Sequence, residues 1–145
     1  MGSPHDGWRS RRLCERAPVT YLLDTAPFLW AVSEPGRLSR RARRICESPR
    51  DTLVLSVASL WETMIKCGVG GLRIVNPART LPDWVAALGA RVLAVEAAHA
   101  YRLHELPPIH RDPFDRILVA QAMAEDLPLL TSDQYIRQYP VRCIW

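Results

Sequence analysis

Two aspartates open the apolar stretch RDPFDRILVAQAM, which spans residues 111–123. Asp112 stands directly before Pro113, a pairing typical of a helix N-cap followed by proline at the first helical position. Asp115 falls in the first turn of the same helix. Because the following residues are largely apolar, the sequence predicts a buried helix that Asp112 caps and in which Asp115 is free for chemistry.

Three further acids occupy comparable places in the chain. Asp24 follows the apolar run at 19–23, and Asp133 follows the run at 128–130; both runs are predicted to be buried strands. Glu62 falls early in the helix that is predicted to follow another buried strand. Because ligands bind outside the carboxyl ends of parallel strands, we expect all four acids to point into the same end of the sheet.

The grouping of these acids favours a metal site. Crowded carboxylates repel one another and raise each other's pKa, which proteins tolerate mainly where a cation binds. Oxygen ligands suit Mg²⁺ or Mn²⁺, and such an ion activates water and stabilises charge on a phosphodiester. The leading interpretation is a metal-dependent nuclease. His104 and His110 lack metal-ligand spacing and are expected to be exposed or loop histidines.

The order of apolar runs predicts an α/β fold. Strands are predicted at 19–23, 52–55, 91–95, 128–130 and 141–145, and helices around 27–32, 39–45, 60–68, 82–88, 96–106, 113–126 and near Tyr135. This alternation is typical of a central parallel sheet of four to five strands that is covered by helices on both faces.

The acids also have purely structural interpretations. Asp112 and Asp115 compete for the roles of helix cap and metal ligand, and both could line the pocket. Asp24 could cap the helix that follows it, and Asp133 could open a turn. Ser59 and Glu62 fit the capping-box pattern, in which the glutamate bonds back to the cap residue. If the helix starts at Ser56 instead, Glu62 lies further inside it and faces the pocket, which is the interpretation that we favour.

Composition limits the class of protein. A chain of 145 residues that is 48% hydrophobic and 23% charged suits one globular domain. The net charge of +4 is mildly basic and compatible with a nucleic-acid partner. Residues 1–18 are polar and basic, which predicts a flexible extension ahead of a domain at 19–145. No apolar run approaches the roughly 20 residues that span a bilayer.

The cysteines and the single lysine exclude other sites. The four cysteines are scattered without a CxxC pair, which indicates free thiols in a reducing cytosol. A phospho-receiver domain needs a lysine at the end of a late strand, whereas Lys66 lies on an interior predicted helix. We therefore discount a receiver, and a cytoplasmic location is expected.

Four segments taken in order resemble the PIN-domain ribonucleases, and more narrowly the VapC-type toxins of bacterial toxin–antitoxin pairs. The segments are LLDTAPFLW, SVASLWETMIK, HRDPFDRILVAQA and LLTSD. The resemblance covers about 19–145 and implies a PIN-like three-layer α/β/α fold. It assigns the catalytic acids to Asp24, Glu62, Asp115 and Asp133, of which Asp24, Asp115 and Asp133 would bind the metal.

The resemblance also implies a function and partners. Proteins of this type are Mg²⁺- or Mn²⁺-dependent endoribonucleases that cut RNA, often tRNA or rRNA; they usually form homodimers and are neutralised by a cognate antitoxin. Thr131 matches the family's hydroxyl two residues before the last acid, and Asp112 and Arg116 are supporting candidates. For Arg116, contact with phosphate and a surface or ion-pair role both stay open. The alternative function is a non-catalytic PIN-like module that binds RNA or protein.

Overall fold

The computed structural model describes residues 16–145, so all but the last three residues of the predicted extension lie outside the described residues. Five strands are present: β1 Thr20–Leu23, β2 Thr52–Ser56, β3 Arg91–Leu93, β4 Leu129–Leu130 and β5 Cys143–Ile144. Six α-helices are present in the same part of the chain: α1 Thr25–Ser33, α2 Arg40–Glu47, α3 Val57–Gly68, α4 Pro77–Leu88, α5 Ala97–Arg102 and α6 Pro113–Ala124. Short 3-10 turns lie at Pro35–Arg37, Leu103–Glu105 and Ile136–Gln138.

The strands form one parallel sheet in the order β3-β2-β1-β4-β5. The chain builds outward from β1 through β2 to β3, then returns to the other side of β1 for β4 and β5. Leu23, the last residue of β1, pairs with Leu55 on one side and Leu130 on the other. The strand order therefore reverses between β1 and β4, and ligands of such sheets bind at the carboxyl ends of the strands at this point.

Alternate residues of the strands enter two separate cores. Leu22 and Val54 pack with α6 on one face of the sheet. Leu23 and Leu55 pack with Phe28 of α1 on the other face. The predicted three-layer α/β/α architecture with a parallel sheet is thus confirmed, with five strands. Within 16–145, every helix is too short or too polar to cross a membrane.

Several predicted boundaries differ from the structure. Helix α4 begins at Pro77 rather than at Pro82, because Pro77 takes the first helical position and Pro82 is accommodated inside the helix. The helix predicted at 96–106 ends at Arg102 and continues as a 3-10 turn. The last two strands keep only two residues each, since they pair only over that length.

Candidate active site

The fold brings the four acids to the carboxyl edge of the sheet. Asp24 directly follows β1 and caps α1, and Asp133 lies three residues after β4. Glu62 lies in the second turn of α3, and Asp115 lies in the first turn of α6. Both helices flank the edge at which the strand order reverses, so the four carboxylates act on one another.

Asp24 is fixed by two hydrogen bonds. Its Oδ1 accepts from the backbone N–H of Thr25 (2.8 Å), and its Oδ2 accepts from the hydroxyl of Thr131 (2.8 Å). Asp24 is 7% exposed, and this burial raises its pKa to about 6. The two hydrogen bonds oppose the shift, and the charges of Asp133 and Glu62 add to it. Asp24 is therefore both a helix cap and a carboxylate of the site.

Ser56, not Ser59, decides the orientation of Glu62. The Ser56 hydroxyl caps α3 by accepting from the N–H of Ala58 (3.0 Å). The helix thus starts three residues before the capping-box alternative requires, and Glu62 lies inside it on the buried face. Ser59 instead contacts the hydroxyl of Thr25 (2.9 Å). The capping-box interpretation is wrong, and the alternative of a start at Ser56 holds.

Glu62 has a partner on each oxygen. The hydroxyl of Thr25 donates to Oε2 (2.9 Å), and the ammonium of Lys66, one turn further along α3, donates to Oε1 (2.7 Å). The Glu62 side chain is buried, whereas half of the Lys66 side chain is exposed. Glu62 is thus a charge-compensated member of the cluster, with its cation at the solvent side.

The two aspartates of α6 divide their roles. Asp112 caps the helix, because its Oδ1 accepts from the N–H of Phe114 (2.8 Å). Asp115 is not used as a cap and meets the other acids. The pKa of Asp115 is raised to about 8, first by burial and then by the charges of Asp24, Asp112, Glu62 and Asp133, in that order. This is the acid that most needs a cation to be charged at neutral pH.

Asp133 combines its two interpretations. Its Oδ1 accepts from the N–H groups of Tyr135 (2.8 Å) and Ile136 (3.0 Å) and so starts the turn that follows. Its backbone N–H donates to the hydroxyl of Thr131 (3.0 Å), the same hydroxyl that donates to Asp24. Asp133 Oδ2 remains on the side of the site. Thr131 therefore links the acids that follow β1 and β4.

His110 lies inside the site, although its spacing in the sequence did not mark it as a metal ligand. Its Nε2 is 2.9 Å from Asp115 Oδ2 and 3.6 Å from Asp133 Oδ2, and its side chain is only 18% exposed. One ligand atom from each of these three residues lies within 4.8 Å of the others. The residue is in a loop as predicted. The sequence signal that could have identified His110 is its position just before the cap of the helix that carries Asp115.

Arg116 braces the loop that leads into α6. Its Nη1 donates to the carbonyl of Pro107 (3.1 Å) and to the hydroxyl of Tyr139 (3.2 Å). The same Nη1 is 3.5 Å from the carbonyl of His110. These bonds give Arg116 a structural role, and its contact with phosphate stays a prediction.

The donors of the site fit a hard divalent cation. Four carboxylates meet at one edge of the sheet. Within residues 16–145, two side chains that can carry a positive charge pair with them: Lys66 with Glu62, and His110 with Asp115. The pKa values of Asp24 and Asp115 lie well above the usual value of an aspartate, since the acids are buried together. A divalent ion would offset that repulsion and take the oxygen ligands that Mg²⁺ and Mn²⁺ prefer.

Comparisons with known proteins agree with this architecture. The sequence model of the PIN domain family matches residues 21–141. The structure of VapBC2 from Rickettsia felis, bound to a DNA fragment from their promoter, is 15% identical and covers 87% of this chain and 98% of that chain, with a TM-score of 0.65. DNA-bound VapBC from Salmonella typhimurium is 17% identical over 87% of this chain and 97% of that chain, with a TM-score of 0.63.

A third solved structure is VapBC-5 from Mycobacterium tuberculosis, a member of the VapBC family of toxin–antitoxin systems. It is 20% identical over 88% of this chain and 98% of that chain, with a TM-score of 0.56. At these identities the likeness concerns the fold. No curated protein sequence matches the chain.

Proposed function

The chain belongs to the PIN domain family, and from that premise we propose that it is a metal-dependent endoribonuclease of the VapC toxin type. The observation that carries the proposal is the convergence of Asp24, Glu62, Asp115 and Asp133 at the point where the strand order reverses. A protein that only binds a partner gains nothing from an acid whose pKa is raised to about 8. The raised pKa is the property expected of a cation site.

Asp24, Asp115 and Asp133 would hold the ion, Mg²⁺ or Mn²⁺. When bound, the ion supplies a water nucleophile and stabilises charge on the phosphodiester. The chain itself keeps the ligands oriented. Thr131 joins Asp24 to the backbone of Asp133, and the cap at Asp112 sets the direction of the helix that carries Asp115. Glu62, whose charge is compensated by Lys66, is the fourth carboxylate of the site.

The expected substrate is RNA, with tRNA or rRNA as the leading candidates. A cleft of about 410 Å³ is lined by one of the four acids, Glu62, and by Lys66 and Arg111 among others. Both cations are exposed to solvent. Phosphates on either side of the cut bond would meet positive charge there, while the acids would hold the ion beside that bond.

The outer face of α3 exposes apolar residues, which favours its use as a protein interface. A surface helix usually buries its apolar residues and exposes its polar ones, whereas α3 does the reverse at several positions. Ser59, Glu62 and Thr63 are buried, while Trp61 is 63% exposed beside Val57. Exposed apolar surface of this kind marks protein interfaces. We assign it to assembly, as a homodimer and with a cognate antitoxin in the cytoplasm. The mass of the purified chain in solution tests the dimer.

The nuclease proposal is tested with purified protein, total RNA and Mn²⁺, with and without EDTA. We expect cleavage that EDTA abolishes and that falls more than about 100-fold in Asp24→Asn and Asp115→Asn, beyond the 10–100-fold typical of losing a residue that only supports a ligand. Asp83→Asn, an exposed acid of α4, is the matched control and should cut normally. Cleavage that persists in EDTA would contradict the metal-dependent mechanism, and no cleavage by the wild type would favour the non-catalytic module.

A further inference from the structure

His110 supplies the site with a side chain whose role differs from that of the acids. We propose that His110 is a positioning residue: its ring donates the Nε2–H to Asp115 and orients that carboxylate for the metal, without binding the metal itself. The inference deepens the proposed function and rests on it, because it requires a metal held by Asp115.

The tautomer of His110 is set by the backbone. The N–H of Asp112 donates to Nδ1 of the imidazole (3.1 Å). An accepting nitrogen carries no proton, and a neutral imidazole has a single N–H. The proton of neutral His110 therefore resides on Nε2. Asp112 thus performs two tasks, since its side chain caps α6 and its N–H fixes the ring.

The Nε2–H has one close acceptor. It lies 2.9 Å from Asp115 Oδ2 and 3.6 Å from Asp133 Oδ2, so the hydrogen bond is made to Asp115. A carboxylate that is held through one oxygen presents the other to a cation. Side chains that orient ligands in this way tune the affinity of a metal site.

The same geometry argues against a nitrogen ligand. A histidine that binds a metal through Nε2 donates its Nδ1–H to a carbonyl, carboxylate or water. The Nδ1 of His110 faces a donor, the N–H of Asp112, and has no such acceptor there. The proximity of His110 to Asp115 and Asp133 would by itself suggest a mixed nitrogen and oxygen site. The hydrogen bond at Nδ1 decides between the two roles.

The loop around His110 is built to hold the ring in place. The N–H of His110 donates to the hydroxyl of Tyr139 (2.7 Å), a buried residue. Arg116 donates to the same hydroxyl and to the carbonyl of Pro107, so α6 and the loop are tied together. The ring also lies against Tyr135, with 5.2 Å between ring centroids. His110 and Asp115 therefore keep a fixed relative position.

Two substitutions of His110 distinguish the role of Nδ1 from that of Nε2. His110→Asn offers a side-chain oxygen near the position of Nδ1, where it can accept from Asp112, but places no donor at the position of Nε2. His110→Gln offers an amide N–H that reaches the position of Nε2. His104→Asn, an exposed histidine in the preceding turn, is the matched control.

Calorimetric titration of the full chain with Mn²⁺ is the test. We expect His110→Asn to weaken Mn²⁺ binding about 10–100-fold at an almost unchanged metal-free melting temperature. His110→Gln should recover most of the affinity, and His104→Asn should match the wild type. Pulsed electron paramagnetic resonance of the Mn²⁺ complex should show no directly bound nitrogen.

Three results would overturn the inference. An unchanged affinity in His110→Asn would mean that the ring does not position Asp115. A directly bound nitrogen that disappears in His110→Asn would make His110 a ligand. Mn²⁺ binding without RNA cleavage would overturn the proposed nuclease alone and leave the role of His110 supported by the affinities. Failure of the wild type to bind Mn²⁺ would overturn both.

Discussion

The two ends of the parallel sheet treat aspartate in opposite ways. At the amino end, Asp51 precedes β2, and its Oδ1 accepts from the guanidinium of Arg16 (2.8 Å) and the N–H of Val19 (3.0 Å). The bond from Arg16 is the main reason that the pKa of Asp51 is lowered. At the carboxyl end, burial among other acids raises the pKa of Asp115 to about 8. One end favours the charged form of the side chain, and the other favours the neutral form.

The difference lies in the partners and not in the residue type. Asp51 pairs with an arginine. The four acids at the other end have only two such partners among them, which are Lys66, the chain's only lysine, and the ring of His110. An acid that is matched within the chain stabilises the fold. A group of acids that is not matched raises the free energy of the fold, and the proposed cation would offset that cost, as expected where stability yields to function.

The largest expected effect is the response to metal. At about 100 times its dissociation constant, Mn²⁺ should stabilise the wild type by about 2.7 kcal/mol. Asp115→Asn should lose most of that gain, because it removes a proposed ligand. Asp51→Asn should retain it in full. Thermal unfolding with and without Mn²⁺ measures both variants, and an equal loss in the two would show that the metal does not distinguish the ends of the sheet.

A smaller effect is expected without metal. Asp51→Asn should lower the melting temperature by a few degrees, because it weakens the contacts with Arg16 and Val19. Asp115→Asn should melt at or above the wild-type temperature, since it relieves repulsion. A large drop for Asp115→Asn would instead assign it a structural role like that of Asp112. Calorimetry in EDTA distinguishes these outcomes.

The sequence predicted which acids lie at the carboxyl end of the sheet, because strand ends and helix caps are set by neighbouring residues. Asp24 directly follows an apolar strand, and the cap and proline at Asp112 and Pro113 set the register of Asp115. For Glu62 the sequence offered two helix starts, and only the packing of α3 selects Ser56. These predictions depend on neighbours within a few residues, where strand ends and caps are informative.

His110 was missed because the contact that fixes its loop comes from a residue distant in the chain. The hydroxyl that receives its N–H belongs to Tyr139, 29 residues further on, and loops carry no periodicity from which such a contact follows. The hydrogen bond from Arg116 to the hydroxyl of Tyr139 could not be foreseen from the sequence for the same reason. The length of α4 was misjudged because a proline is normally read as a helix start, and two of them compete there.

The smallest expected effect is a pH dependence of opposite sign at the two ends. Between the usual value of 3.8 and about 8, folded Asp115 keeps a proton that the unfolded chain has released, so wild-type stability falls as the pH rises through that window. Asparagine stays neutral. In EDTA, the melting temperature of Asp115→Asn minus that of the wild type should therefore grow from about pH 4 to pH 8 and then level off.

Asp51→Asn should show the mirror image. The folded pKa of Asp51 is lowered, so its contribution is complete at neutral pH and is lost as the pH falls through the lowered value. The deficit of this variant should thus be constant from about pH 5 upward and shrink in acid, where both proteins are uncharged at this position. Asp83→Asn should follow the wild type throughout. Parallel curves for Asp115→Asn and Asp51→Asn would contradict the contrast between the two ends, because a matched acid and an unmatched one cannot respond to protons with the same sign.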